Sequence, residues 1–309
     1  MTDFDLLAPE EAEGPGDVWE EIDVSDTEAD RIARQRDREF SEFRDRITDA
    51  DQFKVEASVF DDATYAAIYK LVQDGYIDAF GGPISTGKEA NVYTALGGDA
   101  AREIIAADGL ERDGQEPEVA VKVYRINASD FRDMRGYLEG DPRFEGIGSE
   151  KSEVVKAWVR KEFANLRRAR EAGVRVPTPI AVERNVMVME YIGTEDGRAR
   201  RLSEVDIENP ETAFEVVREY MRRLYDAGLV HGDFSEYNVV FHEGQLVVID
   251  LGQAVTVHHP NAEDFLARDC ENVASFFRRQ GLEVETEDLQ DFVTGAAEAD
   301  AAETDAAET

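Results

Sequence analysis

The chain has 309 residues, and its 69 Asp and Glu against 34 Lys and Arg give a net charge of −35, typical of a high-salt cytoplasm and unfavourable for DNA as a partner. One cysteine excludes an internal disulfide, and four histidines without a cysteine cluster exclude a zinc site of the usual kind. The acidic N-terminus and the lack of an apolar run of about 18 residues predict a cytoplasmic protein with no membrane partner.

Composition divides the chain into five predicted segments. Residues 1–30 contain 12 acids and no Lys or Arg, which predicts a disordered acidic tail. A charged helical segment is expected over 31–57, followed by an N-terminal helix and nucleotide-binding lobe over 58–192. The catalytic lobe is expected over 193–282. Residues 283–309, with 10 acids and no bases, predict a second frayed acidic tail.

Three further segments carry different expectations. Asp61 or Asp62 should cap a helix that ends at Gly75, because apolar residues recur between them at helical spacing. The acidic, glycine-containing stretch over 97–118 predicts an expanded loop without chemistry. A long irregular segment over 131–152 could fold over a ligand.

A glycine-containing loop precedes a β-prone run and predicts a phosphate-binding turn. The predicted nucleotide contacts here are Ser85, Thr86, Gly87 and Lys88. The spacing nearly matches a Walker loop, but Glu89 replaces the hydroxyl residue that would hold magnesium, and the following residues favour a strand over a helix. A loop between two strands is therefore the preferred interpretation.

A lysine interrupts a buried-strand pattern at Lys122. Lysine is rarely buried without a partner, so it lies either on an edge strand or in a functional ion pair. We expect the pair, with Glu162 as the partner, because Glu162 lies at the margin of an apolar helical stripe. The strands after it lead to a predicted hinge, where Glu190 and Ile192 are expected to contact the nucleotide.

The central stretch of the chain runs from His231 to Asp250. A helix that begins at Asn209 delivers the chain to it, and two apolar strands joined at a glycine turn predict a hairpin that returns Asp250 to the side of Asp233 and Asn238. Two acids and an amide offer the oxygen ligands that Mg²⁺ prefers, usually together with phosphates. We therefore predict nucleotide phosphate chemistry.

The ordered set of polar residues indicates phosphoryl transfer. Lys122, fixed by Glu162, would hold the α and β phosphates, Asn238 and Asp250 would bind Mg²⁺, and Asp233 would orient or deprotonate the acceptor. Farther along, Cys270 lies on the apolar stripe of a helix and is expected in the core. The basic cluster formed by Arg198, Arg200 and Arg201 predicts either a solvated turn or a binding patch.

The motifs that carry this chemistry resemble those of the RIO family of atypical serine/threonine protein kinases, in its type-1 branch. They are Ser85-Thr-Gly-Lys-Glu-Ala-Asn-Val-Tyr93, Val121-Lys-Val-Tyr124, His231-Gly-Asp-Phe-Ser-Glu-Tyr-Asn238 and Ile249-Asp250. The composition adds the expectation of a halophilic archaeal source. The resemblance implies an α+β, two-lobed protein-kinase-like fold, with an extra N-terminal helix and a trimmed C-terminal lobe, that uses ATP and Mg²⁺.

The resemblance also implies a biological setting and leaves alternatives. It implies a role in late maturation of the small ribosomal subunit, with the precursor particle (protein and rRNA) as partner; molar salt, with a Debye length of about 3 Å, would screen the repulsion of RNA. Members of the family that the chain resembles are regarded as partly ATPase-like, and the resemblance implies that Asp250 is a possible phosphate acceptor. A small-molecule phosphotransferase and a non-catalytic ATP-binding assembly factor are the two alternatives.

Overall fold

The computed structural model describes residues 60–110, 117–126, 131–144, 147, 150–194 and 197–295. The predicted tail over 1–30 and the predicted charged helix over 31–57 lie outside the described residues. The part that is described has two lobes, one built on a five-stranded antiparallel sheet and one mainly helical, with a cleft between them.

The strands fall into two groups by length. The longer strands are β1 Ala79–Thr86, β2 Ala90–Leu96, β3 Glu118–Tyr124, β4 Pro179–Glu183 and β5 Val186–Glu190; the shorter ones are β6 Gly193–Thr194, β7 Gly197–Arg198, β8 Arg200–Arg201, β9 Leu229–Val230, β10 Val239–His242, β11 Gln245–Val248 and β12 Val255–Thr256. The helices are α1 Asp62–Gln73, α2 Asp99–Ala107, α3 Phe131–Leu138, α4 Lys151–Glu171, α5 Pro210–Asp226, α6 Ala262–Arg279 and α7 Thr286–Thr294, with single 3-10 turns at Pro142–Phe144 and Leu202–Glu204.

The alternation of β3 places its lysine at the cleft. The strand order of the large sheet is β1-β2-β3-β5-β4, so β3 is the central strand. Because side chains alternate between the faces of a strand, Val121 and Val123 pack into the core with α1, whereas Lys122 between them lines the cleft. The lysine therefore interrupts the apolar pattern because it lies on the face of β3 that borders the cleft.

The predicted N-terminal helix is confirmed as α1. Asp61 is its N-cap, and its side chain accepts a hydrogen bond from the backbone N–H of Thr64 at 2.7 Å. The chain turns after the helix at Gly75, where φ is 77°. A glycine suits this left-handed conformation because it has no Cβ. The helix buries Ile68 and Leu71 against the sheet.

The helical lobe is centred on α5 and α6. Asn209 caps α5 through its side chain, which accepts from the N–H of Thr212 at 3.1 Å, and Pro210 opens the helix as predicted. Cys270 on α6 is fully buried, so its predicted place in the core is confirmed. Among the described residues, no helix combines the length and the apolar character that crossing a membrane requires.

Two of the expectations for residues 97–152 are wrong. The segment predicted as a loop over 97–118 contains α2, whose Ala101 and Ile105 are buried at a spacing of four residues. Alanines and long side chains favour this helix, but the flanking glycines and charges hid the pattern. The segment predicted as irregular over 131–152 contains α3 and a 3-10 turn.

The prediction of a frayed acidic tail over 283–309 is also wrong for the first part of this segment. The chain forms α7 there, and Leu289 and Val293 are buried in the core that α5 and α6 share. Acidic residues occupy only the exposed positions of this helix, so the net charge of the segment obscured a narrow apolar stripe. The boundary between residues 192 and 193 stays a prediction.

Candidate active site

The cleft between the lobes is the candidate nucleotide site. The empty space in it is about 790 Å³, including space open to solvent. It is lined from the sheet, from the hinge and from the helical lobe by Ser85, Val92, Ala120, Lys122, Met189, Glu190, Ile192, Asn238, Val240, Ile249 and Asp250, among others. Several residues predicted separately from the sequence therefore share one cavity.

The glycine loop is the turn of the β1–β2 hairpin. The N–H of Gly87 donates to the carbonyl of Ala90 at 2.9 Å, and β2 continues as a strand. Because no helix follows the loop, the Walker interpretation is excluded. Ser85 lines the cleft, whereas Thr86, Gly87 and Lys88 are exposed at the tip of the hairpin and are not part of the cleft wall.

Lys122 joins two carboxylates. Its Nζ lies 2.8 Å from Oε1 of Glu162 on α4 and 3.0 Å from Oδ1 of Asp250. Burial alone would lower the pKa of Lys122, but attraction by Asp250 and Glu162 outweighs it and raises that pKa. The predicted ion pair with Glu162 is confirmed. Burial raises the pKa of Glu162, with Lys122 opposing the effect.

The two predicted hinge residues also make contacts within the protein. Glu190 lines the cleft, but its carboxylate accepts from Arg175 and, at 3.1 Å, from the N–H of Thr178. That carboxylate therefore stabilises the end of β5. Ile192 lines the cleft as well, and its carbonyl accepts from the N–H of Ala199 at 2.9 Å. Both residues therefore border the cleft at the predicted hinge.

The basic cluster after the hinge is organised by one acid. Arg198 forms an ion pair with Glu204 at 2.8 Å, and Arg200 donates to the carbonyl of the same residue. The backbone N–H of Arg201 donates to the Glu204 carboxylate at 2.9 Å. Of the three arginines, Arg198 and Arg201 also border the cleft. The contacts of the three arginines with Glu204 therefore stabilise this surface turn.

The loop over residues 231–238 brings Asp233 and Asn238 together. The amide nitrogen of Asn238 donates to the carbonyl and to the carboxylate of Asp233, at 2.9 and 3.0 Å. The hairpin of β10 and β11 is confirmed, and it returns the chain so that the N–H of Ile249 donates to the carbonyl of Asn238 at 2.8 Å. Asp250, with φ of 63°, follows directly.

The oxygen atoms at this position fit a magnesium ion. Desolvation opposes the ionisation of Asp250, but the charge of Lys122 outweighs it and lowers the pKa of Asp250, which keeps the carboxylate charged. Asn238 uses its amide nitrogen for Asp233, so its oxygen is the atom available to a cation. No group of three or more His, Cys, Asp and Glu forms a metal cluster among the described residues. Two protein oxygens, completed by phosphate and water, are a usual set for Mg²⁺.

Comparisons with known proteins decide the family. The model of the RIO domain (RIO1) matches residues 91–290, more than half of the chain. A protein of Haloferax volcanii named RIO-type serine/threonine-protein kinase Rio1 is 71% identical over 296 residues, which cover 96% of this chain and 97% of that protein. The chain belongs to the RIO family. Its predicted enzyme class, a phosphotransferase of the serine/threonine-protein kinase type, is confirmed, and the Haloferax relative fits a halophilic source.

More distant RIO proteins cover much of the same chain. Rio1 of Methanocaldococcus jannaschii is 34% identical over 88% of this chain and 87% of its own length. RIO1 of Saccharomyces cerevisiae is 36% identical over 74% of this chain and 50% of its own length. The crystal structure of the Rio2 kinase from Chaetomium thermophilum superposes with a TM-score of 0.55 at 22% identity, covering 76% of this chain and 71% of that one. The predicted protein-kinase-like fold is confirmed.

Sequence reasoning missed one residue that shapes the active site of this RIO chain. Asp269 on α6 is buried, and its two oxygens accept from the N–H groups of Gly232 and Phe234 at 2.7 and 2.8 Å. These N–H groups flank Asp233, so Asp269 holds the loop that carries it. Burial raises the pKa of Asp269 to about 7. The sequence signal that could have identified Asp269 is the presence of an acidic residue on the apolar stripe of α6.

The histidine at the start of the loop over residues 231–238 is neutral. His231 is buried, and its Nδ1 accepts from the N–H of Asp233 at 3.3 Å. Burial lowers the pKa of His231 to about 4, so an uncharged ring occupies the site at neutral pH. Its ring packs edge-on against Phe234, with centroids 5.1 Å apart. The residue thus supports the loop through packing and one hydrogen bond.

Proposed function

We propose that this RIO chain uses Mg-ATP as a serine/threonine kinase, as an ATPase, or as both, during maturation of the small ribosomal subunit. One observation carries the catalytic part: Lys122 contacts both Glu162 and Asp250 at the edge of a cleft that Asn238 also lines. Phosphoryl transfer requires a phosphate-binding cation, a metal-binding acid and a base in one place. The ribosomal part rests on the family resemblance.

The residues around the cleft divide the work of nucleotide binding. We assign the base to the hinge side near Ile192 and the phosphates to the side of Ser85 and Lys122. Asn238 and Asp250 would hold Mg²⁺, which supplies positive charge to the phosphates when it is bound. A solved Rio2 kinase of Chaetomium thermophilum is described as a complex with ADP/Mg²⁺ and phosphoaspartate, which supports this choice of ligands.

Asp233 is the proposed base. Its carboxylate accepts from Asn238, which fixes its direction, and desolvation raises its pKa above the ordinary value. A higher pKa makes a carboxylate a stronger acceptor for the proton of a hydroxyl group or of water. With a protein hydroxyl as acceptor the outcome is kinase activity, and with water it is ATP hydrolysis. Asp250 is a further candidate phosphate acceptor.

Turnover of Mg-ATP in high salt tests the catalytic proposal. Loss of the base in Asp233→Ala should lower the rate about 10² to 10⁴-fold. The matched control is Glu263→Gln, which changes an exposed acid at the start of α6 and should leave the rate unchanged. Equal rates for wild type and Asp233→Ala would overturn the role assigned to Asp233.

Co-sedimentation with small-subunit precursors, with and without ATP, tests the biological setting. We expect binding that depends on the nucleotide state. Turnover stimulated by a small alcohol or amine, and not by precursor particles, would instead favour a small-molecule phosphotransferase. Tight ATP binding without turnover, even with particles present, would favour an assembly factor that only binds the nucleotide.

A further inference from the structure

The four residues after Asp250 accept hydrogen bonds from side chains of two neighbouring helices. These residues, Leu251, Gly252, Gln253 and Ala254, form the post-Asp250 loop. All four accept hydrogen bonds from α3 or α4, the two helices that enclose the 3-10 turn at Pro142–Phe144. The helix α4 also carries Glu162, so the loop and the lysine partner share one support.

Asn165 makes the central contact with this loop. Its amide nitrogen donates to the carbonyl of Leu251 at 3.1 Å and to the carbonyl of Ala254 at 3.0 Å, so that one side chain spans the loop. The side chain is fully buried. Two donors aimed at two main-chain carbonyls fix both ends of the post-Asp250 loop relative to α4.

A buried ion pair fixes the orientation of Asn165. Nη1 of Arg143 donates to its amide oxygen at 2.9 Å, which determines which side of the amide faces the loop. Arg143 is in turn held by Asp141, with Nη2 and Oδ2 2.8 Å apart and both side chains buried. Because such a pair is costly to desolvate, its presence here suggests a task beyond stability.

The middle of the loop is tied to the metal-binding acid itself. Lys161 donates to the carbonyl of Gly252 at 2.7 Å, and the same glycine lies beside the Asp250 carboxylate, since a Cβ built on Gly252 would be 3.4 Å from Oδ1 of Asp250. A Cβ on Gly252 would lie 3.2 Å from Nε1 of Trp158, which shows how closely the loop approaches α4. Motion of the loop would therefore move the carboxylate of Asp250.

The last contact comes from α3. The hydroxyl of Tyr137 donates to Oε1 of Gln253 at 2.9 Å, and its ring stacks on Phe265 at a centroid distance of 5.1 Å. Thus α3, in the segment expected to be irregular, contacts the post-Asp250 loop directly, whereas the 3-10 turn acts on it only through the contact of Arg143 with Asn165.

We propose that Asn165, oriented by the Arg143–Asp141 pair, is a positioning residue that holds the carboxylate of Asp250 in its metal-binding direction. The segment over 131–144 then serves as the support of the metal site. The inference rests on the proposed function, because it assigns Asp250 to a bound Mg²⁺. Residues that orient metal ligands in this way typically change metal affinity or activity by about 10 to 100-fold when they are replaced.

The test compares two buried asparagines. Asn165→Asp keeps the acceptor for Arg143 but removes both donors to the loop. Asn185→Asp is the matched control: Asn185 is also buried and donates to a main-chain carbonyl, that of Tyr124 at 2.8 Å, but it does not touch the loop. Thermal unfolding, kcat and the Mg²⁺ concentration for half-maximal ATP turnover are measured for both.

We expect Asn165→Asp to raise the half-saturating Mg²⁺ concentration about 10 to 100-fold, while ATP binding in EDTA stays at the wild-type level. Asn185→Asp should lower the unfolding temperature and leave the Mg²⁺ dependence unchanged. Wild-type Mg²⁺ dependence in Asn165→Asp would overturn the proposal, and so would an equal loss of metal-free ATP binding.

Two further measurements keep the proposal testable. If Asn165→Asp does not fold, Tyr137→Phe removes a single hydroxyl and should raise the half-saturating Mg²⁺ concentration about two- to tenfold, the effect of one hydrogen bond; no change would overturn the proposal. If the wild type does not hydrolyse ATP, the proposed function fails, and calorimetric Mg²⁺ dependence of ATP binding then tests the positioning role separately.

Discussion

Lys122 and Asp250 meet across the cleft, with Nζ of the lysine 3.0 Å from Oδ1 of the acid, although 128 positions separate them in the chain. The central strand of the sheet carries one, and the end of a hairpin in the helical lobe carries the other. Glu162 contacts the same ammonium group from α4. One lysine on the sheet therefore joins Asp250 of the helical lobe to Glu162 of α4, and its removal should affect stability as well as turnover.

The first prediction concerns that lysine. Lys122→Met should abolish ATP turnover and lower the free energy of unfolding by about 3 to 5 kcal/mol, because Glu162 is left buried without its partner. The double variant Lys122→Met/Glu162→Gln removes the unpaired charge and should regain stability without regaining turnover. Chemical denaturation in high salt measures both variants. Equal stability of the single and double variants would contradict the argument.

The second prediction concerns the pH dependence of Asp269. Burial raises its pKa from 3.8 to about 7, so between these values the folded chain binds a proton that the unfolded chain releases. The associated stability is fully present below about pH 4 and is lost as pH rises through about 7. The variant Asp269→Asn lacks this titration.

The difference in unfolding temperature between wild type and Asp269→Asn should therefore shrink from about pH 4 to pH 7 and then become constant. The variant should also lose turnover, because an amide has one acceptor oxygen whereas the N–H groups of Gly232 and Phe234 use two. A stability difference that grows with pH over this range would refute the assignment.

The sequence predicted local features that depend on near neighbours. A cap at Asp61 or Asp62 and the hairpin before Asp250 were predicted from the spacing of a few residues, and both are confirmed, with Asp61 as the cap. The pair of Lys122 and Glu162 was found because a lysine in a buried strand needs a partner. In each of these cases, a strong physical rule leaves few alternative structures for the residues concerned.

Long-range polar contacts were not accessible in this way. Asp269 accepts from main-chain groups 35 and 37 residues away, and Asn165 donates to carbonyls 86 and 89 residues away. Main-chain donors and acceptors leave no mark on the sequence, so only a polar residue on an apolar stripe can signal such a contact. Charge concealed α7 for a related reason, because its acids outnumber its buried residues.

The third prediction tests the packing of α7. Leu289 is buried on this helix, so Leu289→Ala should lower the free energy of unfolding by about 2 to 5 kcal/mol through lost burial and a residual cavity. Asp291→Ala, at an exposed position of the same helix, is the control and should have little effect. Denaturant unfolding curves give both values. A stability loss equal in the two variants, or absent in both, would show that the helix does not pack as described.

The fourth prediction follows from the net charge of −35. Self-repulsion of the acidic surface destabilises the compact state, and salt shortens its range from about 10 Å at 0.1 M to about 3 Å at 1 M. The unfolding temperature should therefore rise steeply as KCl increases over this interval, and ATP turnover should rise with it. A neutral osmolyte at equal osmolality is the control, because it does not screen charge. An unfolding temperature that is independent of KCl would mean that the acidic surface imposes no such cost on folding.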